Sequence, residues 1–274
     1  SAGRPLVRKF RGALEPDAGG GRWTIPGITD NEEFYVTSSQ GTPEVDGTTW
    51  QLQVDGAVSQ PATLTLADLD TLGAIDKEHT LCCIGSSPGS PAIGNALWSG
   101  RPLSEVLDFL GVTVQTDAVE MQFEGADTYR TSIPITDLTD RELWLVWRMN
   151  GEPLPPSHGY PVRVLTPGRY GTKNPKWLTR LTFGTEAELG YWESRGWSND
   201  AIYRTICYFL TPERGATVPR GTVRVQGAAF AGSSAVSRVE VSADGGGHLG
   251  GGALHLSGPG RHLDPVGARA RGGQ

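Results

Sequence analysis

The chain has 274 residues, of which 37% are hydrophobic and 20% charged, and its formal net charge is -6. This composition is typical of a folded globular protein with one large domain or two ordinary ones, long enough to bury a core without disulfides. The acidic balance and the lack of a dense basic run argue against nucleic acid and anionic membrane surfaces as partners.

The chain begins at Ser1 rather than at a methionine, and it contains no signal peptide. Its apolar runs are far shorter than the roughly 20 residues that a membrane helix needs. We therefore expect a fragment or a processed product. The first 45 residues are rich in Gly, Pro and Asp, which predicts an extended arm.

The elements that follow the arm alternate between strands and short helices. Residues 49–56 predict a half-buried strand, and the next segment predicts a helix that Thr65 caps and Gly73 ends. A short strand, 77–85, leads into a glycine-rich loop. An amphipathic helix with Ser104 as its cap and Gly111 as its stop is then expected over 102–111.

Further strands are expected after this helix, with a turn at Asn150-Gly151. Their ranges are 118–127, 142–149, 160–171 and 176–184. Mixed strands with a few helices indicate an α+β fold rather than a regular βαβ alternation.

The pattern changes near Thr205, where we place a domain boundary between residues 1–204 and 205–274. Two alternating segments, 218–232 and 234–246, predict the opening of a β-sandwich. The last thirty residues are about one third glycine and show no strand pattern. We expect an irregular tail and an incomplete sandwich.

Two of the three cysteines, Cys82 and Cys83, are adjacent. Adjacent cysteines rarely form a disulfide with each other, because the small ring strains the peptide between them. They are therefore interpreted as free thiols or ligands, and strand alternation places their side chains on opposite faces. Cys207, in "TICYFL", is expected to be a small buried hydrophobe.

Two long segments of the chain, "TLCCIGSSPGSPAIGNALWSGRPLSEVL" and "MNGEPLPPSHGYPVRVLTPGRYGTKNPKWLTRLTF", resemble the sulfite-oxidase-type molybdopterin-dependent oxidoreductases. The resemblance runs from about residue 33 to 246 and is closer to the broader bacterial branch than to typical sulfite oxidases. It implies an α+β molybdopterin-binding domain in residues 1–204. It also implies an immunoglobulin-like dimerisation domain in 205–274, with "VEVSADGG" as its clearest trace.

The resemblance implies a molybdenum-molybdopterin cofactor (Moco) and makes Cys83 the protein ligand of the metal. A soft thiolate suits a metal in a sulfur-rich shell. Cys82 occupies a variable position of the family pattern and is expected to pack in the core.

The resemblance also implies a set of residues around the pterin and its phosphate. An arginine suits phosphate because its planar fork donates two hydrogen bonds, and glycines let backbone amides approach a ligand closely. The expected cofactor-binding residues are Asn95, His158, Arg163, Gly168, Gly171, Lys173 and Lys176.

The pattern departs from sulfite oxidases at the positions that hold sulfite. The family arginine after the ligand cysteine is absent, Thr37 replaces a second arginine, and Trp197 replaces the tyrosine beside the metal. A dianion would lose charge-assisted hydrogen bonds here. We therefore expect oxygen-atom transfer on a small substrate other than sulfite, with Cys83 and Trp197 as catalytic residues.

The electrons must come from or go to an external partner, a cytochrome or a membrane redox subunit, because no Cys-x-x-Cys-His haem motif is present. By resemblance we expect an extracytoplasmic location and a homodimer formed through the C-terminal domain.

Four alternatives remain open. The first is a cofactor-free, inactive relative that serves as a scaffold. The second is an immunoglobulin-like adhesion module, although many functions share that fold. The third is a metal site at His248, His255 and His262. The fourth is a serine hydrolase, which lacks its Gly-x-Ser-x-Gly motif here.

Overall fold

The structure is a computed structural model. It describes residues 27–86 and 92–212, most of 215–251, and the strand segments 15–16, 23–24, 253–254 and 264–271. The described part is mostly sheet, with only a few short helices. The three α-helices are Leu66–Leu72, Leu103–Phe109 and Asp137–Asp140, and the three 3-10 turns are Pro156–His158, Gly171–Lys173 and Glu193–Arg195.

The first helix confirms its sequence signals. The Thr65 side chain accepts a hydrogen bond from the Asp68 amide, and the Asp68 carboxylate accepts from the Thr65 amide, which completes a capping box. The helix ends at Gly73, as predicted. In the second helix the predicted cap, Ser104, is wrong. The helix begins at Leu103, directly after Pro102, so Ser104 lies inside its first turn.

The central sheet is antiparallel and carries the adjacent cysteines at one edge. Its strands, in spatial order, are Glu152–Pro153, Trp144–Met149, Ile93–Pro102 and Ile75–Cys82, and Arg163–Leu165 also pairs with Trp144–Met149. We call Ile75–Cys82 the cysteine strand. It is the edge strand of the described sheet, so one side of its backbone pairs with no other described strand.

A second five-stranded sheet packs against the central one. Its order is Ala62–Thr65, Gln51–Gly56, Leu178–Gly184, Glu120–Gly125 and Arg130–Pro134, and only the pair Gln51–Gly56 with Leu178–Gly184 is parallel. Leucine, valine and aromatic side chains from both sheets and from the first two helices form the largest core cluster. This core holds the loops at the ends of the strands in fixed positions.

The C-terminal part of the described chain forms a separate sheet. Its strands, in order, are Ile206–Thr211, Thr222–Phe230, Asp264–Arg271 and Ala253–Leu254. The expectation of a tail without strands is wrong at Asp264–Arg271, which pairs with eight residues of the Thr222–Phe230 region. This strand forms by backbone pairing to a neighbouring strand. Its apolar positions, Val266, Ala268 and Ala270, do alternate, but they are mostly alanines in a glycine-rich tail, which is a weak strand signal.

Two expectations for this region differ from the structure. The second predicted strand, 234–246, shrinks to Glu240–Val241, which pairs with Gly250–Gly251. Cys207 is exposed rather than buried, because it lies on the edge strand Ile206–Thr211. Across the described residues, no helix is long and apolar enough to cross a membrane.

Candidate functional site

One cavity of about 310 Å³ lies beside the end of the cysteine strand. It is lined by the end of the cysteine strand with Ala92 beside it, residues 34–39 of the arm, residues 127 and 129, the segment 158–177, and residues 192 and 197 of the loop 190–200. We call residues 27–39 the arm segment and residues 190–200 the tryptophan loop. Between residues 27 and 45 the predicted arm contains no helix or strand, whereas Glu15–Pro16 and Trp23–Thr24, earlier in the arm, pair as two short antiparallel strands.

The two adjacent cysteines face different surroundings. Cys82 is fully buried and packs with Ile93, Tyr170 and Phe230 behind the strand. Cys83 is partly exposed and lines the cavity. The structure therefore separates the two thiols in the way that strand alternation predicts.

Burial disfavours the charged form of both thiols. It raises the pKa of Cys82 to about 12. Burial also raises the pKa of Cys83, although hydrogen bonds from the Gly85 backbone and the Thr37 side chain oppose it. A bound metal ion would hold the Cys83 sulfur as a thiolate.

Arg163 presents a buried guanidinium at the cavity. Its Nη1 donates to the His158 carbonyl at 3.0 Å and its Nη2 to the Asn174 carbonyl at 3.1 Å, while its buried Nε has no hydrogen-bond partner. Its only partners among the described residues are neutral. A buried cation that lacks a carboxylate is suited to an anionic ligand.

His158 lies next to Arg163 and is neutral. Its Nε2 is 2.8 Å from the Asn31 carbonyl, and because a carbonyl only accepts, Nε2 carries the proton and Nδ1 remains an acceptor. Burial lowers the pKa of His158 to about 4. The charges of Arg163 and Lys176 lower it further, whereas the hydrogen bond with the Asn31 carbonyl acts in the opposite direction.

Lys176 adds a second cation to the cavity wall. Its Nζ donates to the Ser157 carbonyl at 2.9 Å and lies 4.1 Å from the centre of the Trp177 ring. Burial and the charge of Arg163 lower the pKa of Lys176 to about 7, and Asp127 opposes them. A phosphate at this position would supply the negative charge that the two cations lack.

Asp127 and Tyr129 also line the cavity, although neither was predicted from the sequence as a site residue. They follow the strand Glu120–Gly125, and the Asp127 carboxylate accepts the Tyr129 amide at 3.1 Å. Burial raises the pKa of Asp127. The signal that could have revealed them is their position at the end of the predicted strand 118–127 and just after it, since loops at strand ends commonly carry functional groups.

Gly171 also lines the cavity, where no larger residue would fit without movement. A Cβ atom at this position would lie 3.0 Å from the Tyr35 hydroxyl. Tyr35 itself is buried, and burial and the Cys83 charge raise its pKa well above the usual value. The glycine therefore leaves its backbone accessible on the cavity wall.

Three of the expected cofactor-binding residues do not line the cavity. Asn95 is buried in the central sheet and holds the arm segment. Its side-chain Nδ2 donates to the Gly27 carbonyl at 2.6 Å, and its main-chain carbonyl accepts from the Thr29 amide at 2.7 Å. Gly168 forms a turn with φ +82°, and a Cβ there would lie 2.5 Å from the Arg141 guanidinium. Both residues shape segments that lead to the cavity.

Lys173 is the third of these residues and is completely buried. Its Nζ lies 2.5 Å from the Glu193 carboxylate and donates to the Ser132 carbonyl at 2.8 Å and to the Asn199 side chain at 3.0 Å. Because Glu193 and Asn199 belong to the tryptophan loop, Lys173 connects this loop to the segment that lines the cavity.

The tryptophan loop supplies an aromatic wall to the cavity. The Trp192 and Trp197 rings stack with centroids 4.6 Å apart, and Trp197 is 38% exposed. Thr37 lines the cavity as well. Thus both residues that distinguish this chain from the sulfite-oxidase pattern, Thr37 and Trp197, face the same space as Cys83.

Two alternative sites receive no support from the described residues. His248 is exposed and pairs with Asp244, whereas His255 and His262 lie outside the described residues, as do Ser87 and Ser90 of the glycine-rich loop. Within the described ranges, no three His, Cys, Asp or Glu side chains form a group that could hold a metal ion.

Comparison with known proteins gives one family match. The model described as "Oxidoreductase molybdopterin binding domain" matches residues 39–192. Mitochondrial sulfite oxidase from Rattus norvegicus is 32% identical over 260 residues, which cover 80% of this chain and 48% of that protein. Nitrate reductase [NADH] from Hordeum vulgare is 30% identical over 274 residues, with 80% and 30% covered.

A solved structure shows the same fold. The sulfane dehydrogenase SoxCD from Paracoccus pantotrophus superposes with a TM-score of 0.77 at 22% identity, covering 90% of this chain and 70% of that chain. The chain spans about half the length of the curated sulfite oxidases that it matches.

Proposed function

We propose a function on the premise that this chain belongs to the oxidoreductase molybdopterin binding domain family, whose model matches more than half of it. The chain is thus an oxidoreductase domain of the sulfite-oxidase type, and its cofactor is molybdopterin. The reaction that we propose is oxygen-atom transfer on a small substrate other than sulfite.

The cavity residues fit this cofactor. Arg163 is buried and Lys176 is half-buried, and the hydrogen bonds of both go to carbonyl groups, so they would hold the phosphate of the pterin. His158 would accept a hydrogen bond at Nδ1, and Gly171 would let the ligand approach the backbone. Cys83 would supply the thiolate ligand of the metal.

The observation that carries the proposal is the placement of Cys83 in one cavity with Arg163 and Lys176, two basic side chains whose hydrogen bonds within the described residues go to carbonyl groups. When bound, the molybdenum cofactor supplies two-electron redox chemistry coupled to transfer of one oxygen atom. In the overall reaction, an oxidised substrate, two electrons and two protons are converted into the reduced substrate and water, or the reverse. Trp192 and Trp197 would orient the substrate and limit access of water.

The cavity favours a substrate without a dianionic charge. The positions that carry arginine and tyrosine in sulfite oxidases hold Thr37 and Trp197, and both line the cavity. Threonine has no charge, and an indole only donates a hydrogen bond. Since Arg163 and Lys176 are assigned to the cofactor, a sulfite dianion would lack a cation of its own.

We also propose the context of the reaction. An external redox partner, a cytochrome or a membrane redox subunit, would exchange electrons with the domain. The second domain, residues 205–274, would be immunoglobulin-like and would support a homodimer. The location would be extracytoplasmic, as in the bacterial branch that the sequence resembles.

The first experiment measures molybdenum per chain in protein from a host that makes the cofactor, for wild type, Cys83→Ala and Cys82→Ala. We expect close to one equivalent in the wild type. Because only Cys83 faces the cavity, Cys83→Ala should lower oxygen-atom transfer to background, whereas Cys82→Ala should keep metal and activity.

Folded wild-type protein without molybdenum would overturn the proposal in favour of a cofactor-free scaffold. An active, metal-loaded Cys83→Ala protein would overturn the assignment of the ligand. Turnover of sulfite and of a neutral sulfoxide, measured side by side with artificial electron carriers, tests the substrate class. A higher kcat/KM for sulfite would contradict a substrate other than sulfite.

A further inference from the structure

The free edge of the cysteine strand is closed by one side chain from outside the sheet. Among the described residues the strand pairs with Ile93–Pro102 alone, and the Cys83 amide donates to the Ala92 carbonyl, directly before that partner strand, at 2.8 Å. On the opposite edge, no described strand pairs with the Cys82 amide or the Thr80 carbonyl. The Tyr203 hydroxyl accepts from that amide at 3.3 Å and donates to that carbonyl at 3.2 Å.

The Tyr203 ring is held firmly enough to fix its hydroxyl. It makes edge-to-face contacts with Tyr170 and Phe230, with centroid distances of 5.0 and 5.1 Å. The Tyr203 amide donates to the Gly168 carbonyl at 2.9 Å. The hydroxyl therefore bridges the Thr80 carbonyl and the Cys82 amide from a fixed position, and Cys82 directly precedes Cys83.

We propose that Tyr203 is a positioning residue for Cys83, since its hydroxyl fixes the backbone that sets the direction of the Cys83 sulfur. This inference rests on the proposed function, in which that sulfur binds the metal. Without the hydroxyl, the Thr80 carbonyl and the Cys82 amide lose their partner, and the end of an edge strand gains freedom to twist. The metal–sulfur geometry then varies from molecule to molecule.

The test compares Tyr203→Phe with Tyr170→Phe in the full-length, metal-loaded chain. Tyr203→Phe keeps the ring but removes the bridge. Tyr170→Phe removes a hydroxyl that accepts the Arg204 amide at 3.2 Å and that, within the described residues, forms no hydrogen bond to the cysteine strand. The readouts are molybdenum content, the electron paramagnetic resonance spectrum of the one-electron-reduced Mo(V) form, and kcat and KM.

We expect Tyr203→Phe to retain molybdenum, to show broadened and shifted Mo(V) g-values, and to lower kcat about tenfold with KM within twofold. Tyr170→Phe should have the wild-type spectrum. A wild-type Mo(V) spectrum in metal-loaded Tyr203→Phe would overturn the proposal, and so would an equal change in both variants.

A second measurement does not depend on the variant loading metal. In the wild-type chain, residue-resolved hydrogen exchange should show a protected Cys82 amide, because Tyr203 is its acceptor. If this amide exchanges as fast as an unprotected edge amide, the bridge is absent and the inference fails. Absence of molybdenum from the wild type would instead count against the proposed function, so the two failures are distinguishable.

Discussion

At the scale of single residues, the environment decides the chemistry of identical side chains. Cys82 and Cys83 are neighbours in sequence, yet one packs among apolar side chains and the other reaches a cavity with two cations. The same holds for the lysines: Lys176 faces the cavity, whereas Lys173 is paired with a buried carboxylate. The residue type alone does not predict these roles.

Thr37 offers a direct test of substrate charge. Thr37→Arg places a cation on the cavity wall, and a charge-assisted hydrogen bond of about 1.5–3 kcal/mol corresponds to roughly 10- to 100-fold tighter binding of a dianion. We therefore expect the Kd of sulfite, measured by titration calorimetry on the loaded protein, to fall by about that factor. Thr37→Gln, of intermediate length and neutral, is the control.

An unchanged sulfite affinity in Thr37→Arg would show that this position does not face the substrate. A similar gain in Thr37→Gln would show that length rather than charge is responsible.

At the scale of elements, a buried ion pair holds the tryptophan loop in place. Glu193 accepts from Lys173 and, at 3.0 Å, from the Thr131 hydroxyl, and it lies between Trp192 and Trp197 in the chain. Breaking a buried pair leaves one charge uncompensated, whereas removing both charges avoids that cost. The pair thus links the loop to the second sheet, which carries Thr131.

Lys173→Met should therefore lower the free energy of unfolding by about 3–5 kcal/mol, and the double variant Lys173→Met/Glu193→Gln should recover most of that loss. Urea unfolding measures both. The control is Arg130→Met, which removes an exposed pair with Glu124 and should cost under about 1 kcal/mol. A loss for Lys173→Met no larger than the control's would refute the role of the pair.

At the scale of the whole molecule, the C-terminal sheet contacts the back of the cysteine strand. Phe230, at the end of Thr222–Phe230, packs in the same cluster as Cys82, Ile93 and Tyr170. The sheet beyond residue 205 therefore packs directly behind the cavity. Its integrity should affect both stability and cofactor loading.

Phe230→Ala should lower the free energy of unfolding by about 3–5 kcal/mol, because it leaves a cavity in a buried cluster. We also expect less molybdenum per folded chain, since the cysteine strand loses its support. Phe209→Ala, which removes an exposed ring from the same sheet, should change stability by under about 0.5 kcal/mol. Full stability in Phe230→Ala would mean that the contact between the sheets is unimportant.

Strong local signals made part of the fold and of the site predictable. The capping box at Thr65 and the turn at Asn150-Gly151 follow from hydrogen bonds and dihedral angles within a few residues. The strand Asp264–Arg271, which pairs with Thr222–Phe230, escaped detection because its alternating apolar positions are mostly alanines in a glycine-rich tail, and both residue types are weak strand formers. Asp127 escaped because its place in the cavity depends on a distant segment that holds Lys176.

By itself, the sequence determined the family, through its resemblance to known members. It also determined that the adjacent cysteines face opposite sides of the chain and that His158 and Arg163 lie close together, since these features depend on local spacing and residue chemistry. Only the tertiary structure decided that Asn95, Gly168 and Lys173 support the cavity from outside, and that Tyr203 reaches the cysteine strand. The physical reason is that burial and hydrogen-bond partners come from segments far apart in the chain, and these partners determine whether a polar side chain faces a ligand or holds the protein together.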